Sequence, residues 1–203
     1  MVLSEAESVR APLVAQVLAL EDQERRRLLL VSLDLIGLSS ALTAVLRQRL
    51  AAIAGIAPGA VLLNASHTHS GPFTHYADFA TSLPRPATLA AYETWLVEQL
   101  VVCAAGALQR LTPASVERHD GQTGIGINRR LRNPDGIVSA GPNAAGEFAP
   151  DLFVLDIVQR DSGARAIAFS AACHPIIDCG WNRMMISPYF PGLTRDLLRQ
   201  RLG

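Results

Sequence analysis

With 49% apolar residues in a chain of 203, there is material for one core, but not for two well-formed domains. The 18 basic and 18 acidic groups cancel, so there is no electrostatic footprint for nucleic acid or an anionic membrane. Every basic residue is Arg, and the lack of Lys removes Schiff-base chemistry and the P-loop lysine of nucleotide-binding proteins.

Residues 14–20 and 28–34 are apolar runs separated by Glu21-Asp22-Gln23-Glu24 and Arg25-Arg26-Arg27, which predicts two strands joined by a polar turn. The second run is almost wholly apolar, the pattern of a strand buried on both faces. Ser39 or Ser40 then caps a run with apolar residues at helical spacing over 41–54, and Gly55 stands where that helix would stop. After Pro58-Gly59, residues 60–65 form another apolar strand. Strand, helix and strand in this order predict a right-handed parallel crossover. Residues 50–77 contain no carboxylate or Arg, yet Pro58-Gly59 divides them into pieces too short to span a bilayer, so the stretch reads as buried core. A second long helix is expected over 87–111, a loop-like insertion over 133–150, and a hairpin of 152–159 and 164–172 turning at Asp161-Ser162-Gly163. A last helix should follow Pro191-Gly192. The class is α/β, a mixed, partly parallel sheet flanked by helices, with residues 1–203 forming one domain that is incomplete at both ends.

Chemistry concentrates at strand ends. His67-Thr68-His69-Ser70-Gly71-Pro72 follows directly on the strand over 60–65, and His174 in Cys173-His174-Pro175 follows the strand over 164–172. Ligands of open α/β sheets bind outside the carboxyl ends of strands, and imidazole is the commonest protein ligand for zinc. Asp34 ends a third such strand. Each has a plainer reading. A lone His-x-His, with rings expected to face roughly opposite ways in an extended segment, gives one functional and one structural residue. His174 could serve only to end a strand before Pro175, and Asp34 only to cap a helix. Arg129, Arg130 and Arg132 could be a solvated face. It is convergence that favours a site, since His67 and His174, distant in sequence, arrive at equivalent strand ends. Gly124-Ile125-Gly126 is a weak nucleotide loop, lacking a third glycine at the right spacing. Cys173 beside His174 makes a poor nucleophilic pair, because adjacent residues in an extended segment face apart. Cys103, Cys173 and Cys179 match no zinc-ribbon or thioredoxin spacing, and the first ten residues show no secretory signal.

Val31-Ser32-Leu33-Asp34-Leu35-Ile36-Gly37-Leu38, the block from Leu62 through His67-Thr68-His69-Ser70-Gly71-Pro72, Asn128-Arg129-Arg130, and Ala172-Cys173-His174-Pro175 together resemble the ordered motifs of the neutral/alkaline ceramidase N-terminal domain. The resemblance implies a Zn2+-dependent hydrolase that cleaves the amide of ceramide or a related N-acyl lipid, giving a fatty acid and an amine. It implies His67 and His174 as metal ligands, His69 as a proton-transfer or oxyanion residue, and Arg129 as a contact to the substrate or intermediate. Such enzymes are often secreted or associated with membrane surfaces. The partner implied is a small-molecule N-acyl lipid, with no nucleic acid and no transmembrane segment. The Glu and Tyr that complete the family's zinc shell, and its reacting Ser, are expected beyond Gly203, so the 203-residue chain by itself is expected to be inactive. Where relatives commonly place Asp in the segment Ser187-Pro188-Tyr189-Phe190-Pro191-Gly192, this chain has Tyr189, which puts local order or activity in question. Alternatives are a metallo-amidase for another N-acyl compound or a non-catalytic relative that binds metal or lipid. If His67 and His174 share an ion, their ring nitrogens should lie about 3.4 Å apart, or within about 5 Å without metal. Their strands should then be neighbours in one sheet, with Asp34, His69 and Arg129 around the same hollow.

Overall fold

A computed structural model describes residues 6–75, 85–176 and 185–202. These fall into two compact units, one built from the residues up to Leu111 and from Pro175 onward, the other from Thr112–His174.

The first unit is organised on a hairpin. Strands β2 (Ala15–Glu21) and β3 (Arg27–Leu33) pair antiparallel in a register that sets Glu21 opposite Arg27, and these two side chains form a cross-strand ion pair at 2.7 Å. The connecting turn is held by Asp22, whose Oδ1 accepts the backbone N–H of Glu24 and of Arg26 at 2.9 and 2.8 Å. Arg25 takes the left-handed conformation there, φ 63°. The expected crossover then follows. Helix α1 (Ser40–Ala54) is capped by Ser39, whose Oγ accepts the Leu42 N–H, and ends at left-handed Gly55, whose N–H bonds the Ala51 carbonyl. After a 3-10 turn at Pro58–Ala60, strand β4 (Val61–Ala65) pairs parallel with β3 from Leu29↔Val61 to Leu33↔Ala65. The sheet order is β2-β3-β4.

Leu42, Leu46 and Leu50 of α1 form one core with Leu29, Val31 and Leu33 of β3. Leu96, Val97, Leu100 and Ala104 of helix α2 (Ala87–Gln109) join it. The alternation along β3 is sharp: Leu29, Val31 and Leu33 are buried while Leu28 is exposed. This corrects the expectation of a strand buried on both faces, because the helices cover one side of the sheet and the other side is only partly sheltered. Helix α3 spans Tyr189–Leu202, so it begins before Pro191-Gly192 and not after it. Proline is tolerated in a first turn, where its missing N–H would have had no helical partner. A Cβ on Gly192 would sit 2.2 Å from Pro188 Cγ, so only glycine lets the chain fold back there. Two short strands, β1 (Ser8–Val9) and β10 (Met185–Ile186), pair in parallel.

The second unit is a three-stranded antiparallel sheet, in the order β5 (Ala114–Gln122), β8 (Asp151–Gln159), β9 (Arg165–Ala171), with a separate hairpin of β6 (Asn128–Arg132) and β7 (Val138–Asn143). The hairpin over β8 and β9 is as expected. The loop expected over 133–150 instead contains β7, and β5 forms where the sequence pattern gives no strand signal. Both strands are exposed along most of their length, so neither shows the alternation of a half-buried strand, and pairing to a neighbour decides them. The mixed, partly parallel α/β character stands, but β4 and β9 belong to different sheets. This corrects the expectation that the strands leading to His67 and His174 are sheet neighbours. Among the described residues no helix is long and apolar enough to cross a membrane.

Leu46 is completely buried in the core between α1 and β3. Leu46→Ala should lower the unfolding free energy by about 2–5 kcal/mol, read as a shift of the urea midpoint at unchanged slope. A shift worth under about 1 kcal/mol would mean that the surroundings collapse into the cavity.

Candidate metal centre

The parallel register of β3 and β4 delivers two chain segments side by side at one sheet edge. At the end of β3 and just beyond it, the carbonyls of Leu33 and Leu35 accept the backbone N–H groups of Ser66 and His67 at 2.8 and 2.9 Å. The carbonyl of Ile36 meets His67 Nδ1 at 2.6 Å. A carbonyl can only accept, so Nδ1 is the donor, and in the neutral ring Nε2 is then the nitrogen able to bind a metal. His67 itself is left-handed, φ 67°, a sparsely populated conformation for a residue with a Cβ that persists where the surroundings fix it.

From His67 onward burial alternates. Thr68 and Ser70 point inward, 0 and 6% exposed, whereas His67 and His69 are exposed. The two rings lie on the same, outer side of the loop, which corrects the expectation that they look opposite ways. Their Nε2 atoms are 3.3 Å apart, and the rings meet edge to face with centroids 4.9 Å apart.

The inward side chains anchor the loop. Thr68 Oγ1 donates to the Ser187 carbonyl at 2.6 Å and accepts the Ser70 N–H at 3.2 Å, and Ser187 N–H returns to the Ser70 carbonyl at 3.0 Å. Ser70 Oγ also bonds the Tyr189 hydroxyl. Tyr189 is buried and left-handed, φ 50°. Tyr189 thus laces the histidine loop to the start of α3.

His174 follows β9 and is joined by one peptide bond to Pro175, which is fully buried. The ligand atoms of His67, His69 and His174 all lie within 4.8 Å of one another, and such a group could hold a metal ion. The donor set fits one. All three are imidazoles, and their ligand atoms, within 4.8 Å of one another, fall inside the separation of about 5 Å expected of a metal-free pair of ligand nitrogens.

Asp34 neither caps α1 nor faces the histidines as a ligand: its carboxylate is 2% exposed and held by Arg195 and by the Val14 N–H at 2.9 Å. Arg129 is exposed on β6. Its neighbour Asn128 ties β6 to the segment after β7 by donating to the Glu147 carbonyl at 2.8 Å, and its Oδ1 accepts the Arg130 N–H at 2.9 Å. Gly126 has a packing reason and not a phosphate-binding one, because a Cβ there would lie 2.7 Å from the Ala172 carbonyl oxygen. Burial raises the pKa of the Cys173 thiol, and the charge of Arg129 only partly opposes this; Cys173 is therefore a poor nucleophile at neutral pH, while Cys179 lies outside the described residues. Sequence reasoning missed the Ile36 carbonyl, Arg195 and the Tyr189 hydroxyl. The first is backbone, and nothing in an amphipathic C-terminal helix distinguishes the one arginine that turns inward.

No family model and no curated protein matches this sequence. Among solved structures, the chain is similar to the crystal structure of neutral ceramidase from Pseudomonas aeruginosa, with a TM-score of 0.60 and 26% identity over 84% of this chain and 27% of that one. It is similar also to a structure described as ceramidase complexed with C2, at TM-score 0.59 and 28% identity over 84% of this chain and 27% of that one. The chain thus spans roughly a quarter of the length of these structures. The likeness read from the motifs has a counterpart in three dimensions.

The thiolate is the reactive form of cysteine, and the raised pKa of Cys173 keeps it protonated near neutrality. Alkylation of Cys173 by iodoacetamide, followed by mass spectrometry, should be slow at pH 7 and accelerate only well into the alkaline range. A rate that has already reached its plateau at pH 8 would contradict the burial of this thiol.

Proposed function

We propose that this chain carries the metal-binding part of a zinc-dependent amidohydrolase acting on ceramide or a related N-acyl lipid, with a fatty acid and an amine as products. The observation that carries the reading is the group of three imidazoles, His67, His69 and His174, on a fold similar to that of neutral ceramidase. His67 and His174 would hold the ion. When bound, zinc would supply a water acidified toward a pKa of about 7 and a Lewis acid for the amide carbonyl. Amide hydrolysis places the water oxygen on the acyl carbon, breaks the C–N bond and delivers a proton to the departing nitrogen. His69, exposed and beside His67, is suited to carry that proton. Arg129 would donate N–H groups to the oxyanion that develops on the carbonyl.

The 3.3 Å between Nε2 of His67 and of His69 favours a second reading of one residue, in which His69 is a third ligand. Three protein ligands with one open position make a catalytic zinc set, whereas two imidazoles need further groups.

Zinc content and turnover of alanine variants of the full-length gene product separate these roles. His67→Ala and His174→Ala should lose the metal. His69→Ala and Arg129→Ala should keep it and hydrolyse a short-chain N-acylsphingosine on the order of 10²–10³-fold more slowly, and a chelator should abolish the wild-type rate. Loss of zinc from His69→Ala would make it a ligand, and zinc retained by His67→Ala would overturn the assignment.

A further inference from the structure

Among the described residues, Asp34 and Arg195 form the most buried ion pair, with side chains 2 and 13% exposed, and the chemistry proposed above makes no use of it. Arg195 reaches in from α3 and grips both carboxylate oxygens, Nη2 to Oδ2 at 2.8 Å and Nη1 to Oδ1 at 3.3 Å. The same carboxylate accepts the Val14 N–H at 2.9 Å, and the Asp34 N–H returns to the Val14 carbonyl at 3.1 Å. The next two residues are the ones that hold His67: the Leu35 carbonyl takes its backbone N–H at 2.9 Å and the Ile36 carbonyl its Nδ1–H at 2.6 Å. Stability is a weak reason to bury such a pair, since apolar side chains of the same size commonly do as well or better. A fixed backbone path directly before two carbonyls that must meet one imidazole is a stronger one.

We propose that Asp34 and Arg195 are positioning residues for His67, the ion pair fixing the segment whose carbonyls set the tautomer of the ring and the aim of its Nε2. Its consequence for metal affinity rests on the zinc reading given above, but the geometry does not. Groups that orient a metal-binding histidine commonly matter about 10–100-fold in affinity.

The test compares the wild-type chain with Asp34→Asn, with the double variant Asp34→Leu/Arg195→Leu, and with Arg195→Lys. The double variant strands neither charge, and Arg195→Lys keeps the charge but loses the two-pronged grip. Two measurements are made on each: the His67 tautomer, by 15N NMR of the chelator-stripped protein above pH 8, and the affinity for Co2+, from its visible spectrum. The wild type should show a single tautomer protonated on Nδ1. The first two variants should show a mixture of tautomers and an affinity about 10–100-fold weaker, with Arg195→Lys in between. Folded variants that retain both the single tautomer and the wild-type affinity would overturn the proposal. A tautomer shift in a protein whose wild type takes up no Co2+ would uphold the positioning role and count against the zinc reading alone.

Discussion

The structure turns on the parallel pairing of β3 with β4. It is a modest interaction, five residues of register from Leu29↔Val61 to Leu33↔Ala65, but it ends both strands at one edge and so places two loops within hydrogen-bond reach. The loop after β3 offers carbonyls and the loop after β4 offers the donors, including the Nδ1–H of His67. The core beneath, built from the leucines of α1 and the buried face of β3, makes the register unforgiving. A slip of one residue would turn Leu29, Val31 and Leu33 out of the core and carry His67 away from its acceptor.

On this edge the conformational demands are unusual and mutually supporting. His67 and Tyr189 both adopt left-handed backbone, at some energetic cost for residues with a Cβ. Each is fixed by bonds on either side: His67 by the Leu35 and Ile36 carbonyls, Tyr189 by the Ser187 hydroxyl on its N–H and by Ser70 on its phenol. The inward residues of the loop, Thr68 and Ser70, commit their polar groups to the 185–189 segment, which frees the outward ones to present imidazole nitrogens. Anchoring side chains alternate with outward-facing ones along the loop.

The chemistry expected of the site follows from what these imidazoles are allowed to do. A ring whose Nδ1 donates to a backbone carbonyl can offer only Nε2, and fixing that tautomer makes it a better and more selective ligand. The nearby carboxylate is not a candidate for the same ion, because Asp34 is committed to Arg195. Among the described residues, the side chains close enough together to share an ion are histidines alone, so the donor set is nitrogen throughout. That composition suits zinc better than calcium or magnesium, which take oxygen ligands.

Much of this was legible in the residues themselves. The β2–β3 hairpin, the cap at Ser39, the stop at Gly55 and the β3–α1–β4 crossover rest on local signals: periodicity, capping chemistry and a left-handed glycine are written within a few residues. The placing of His67 and His174 at strand ends was readable in the same way, and the ceramidase likeness rested on short contiguous strings. Tertiary structure alone decided the rest. Strands β5 and β7 carry exposed, polar faces and exist because a neighbour pairs with them. The common face of His67 and His69 depends on backbone angles, and the roles of Asp34, Arg195 and Tyr189 depend on contacts across 119 to 161 residues of chain. Spacing in sequence carries no record of such distances, because a buried charge or hydroxyl takes its partner from whatever the fold brings beside it.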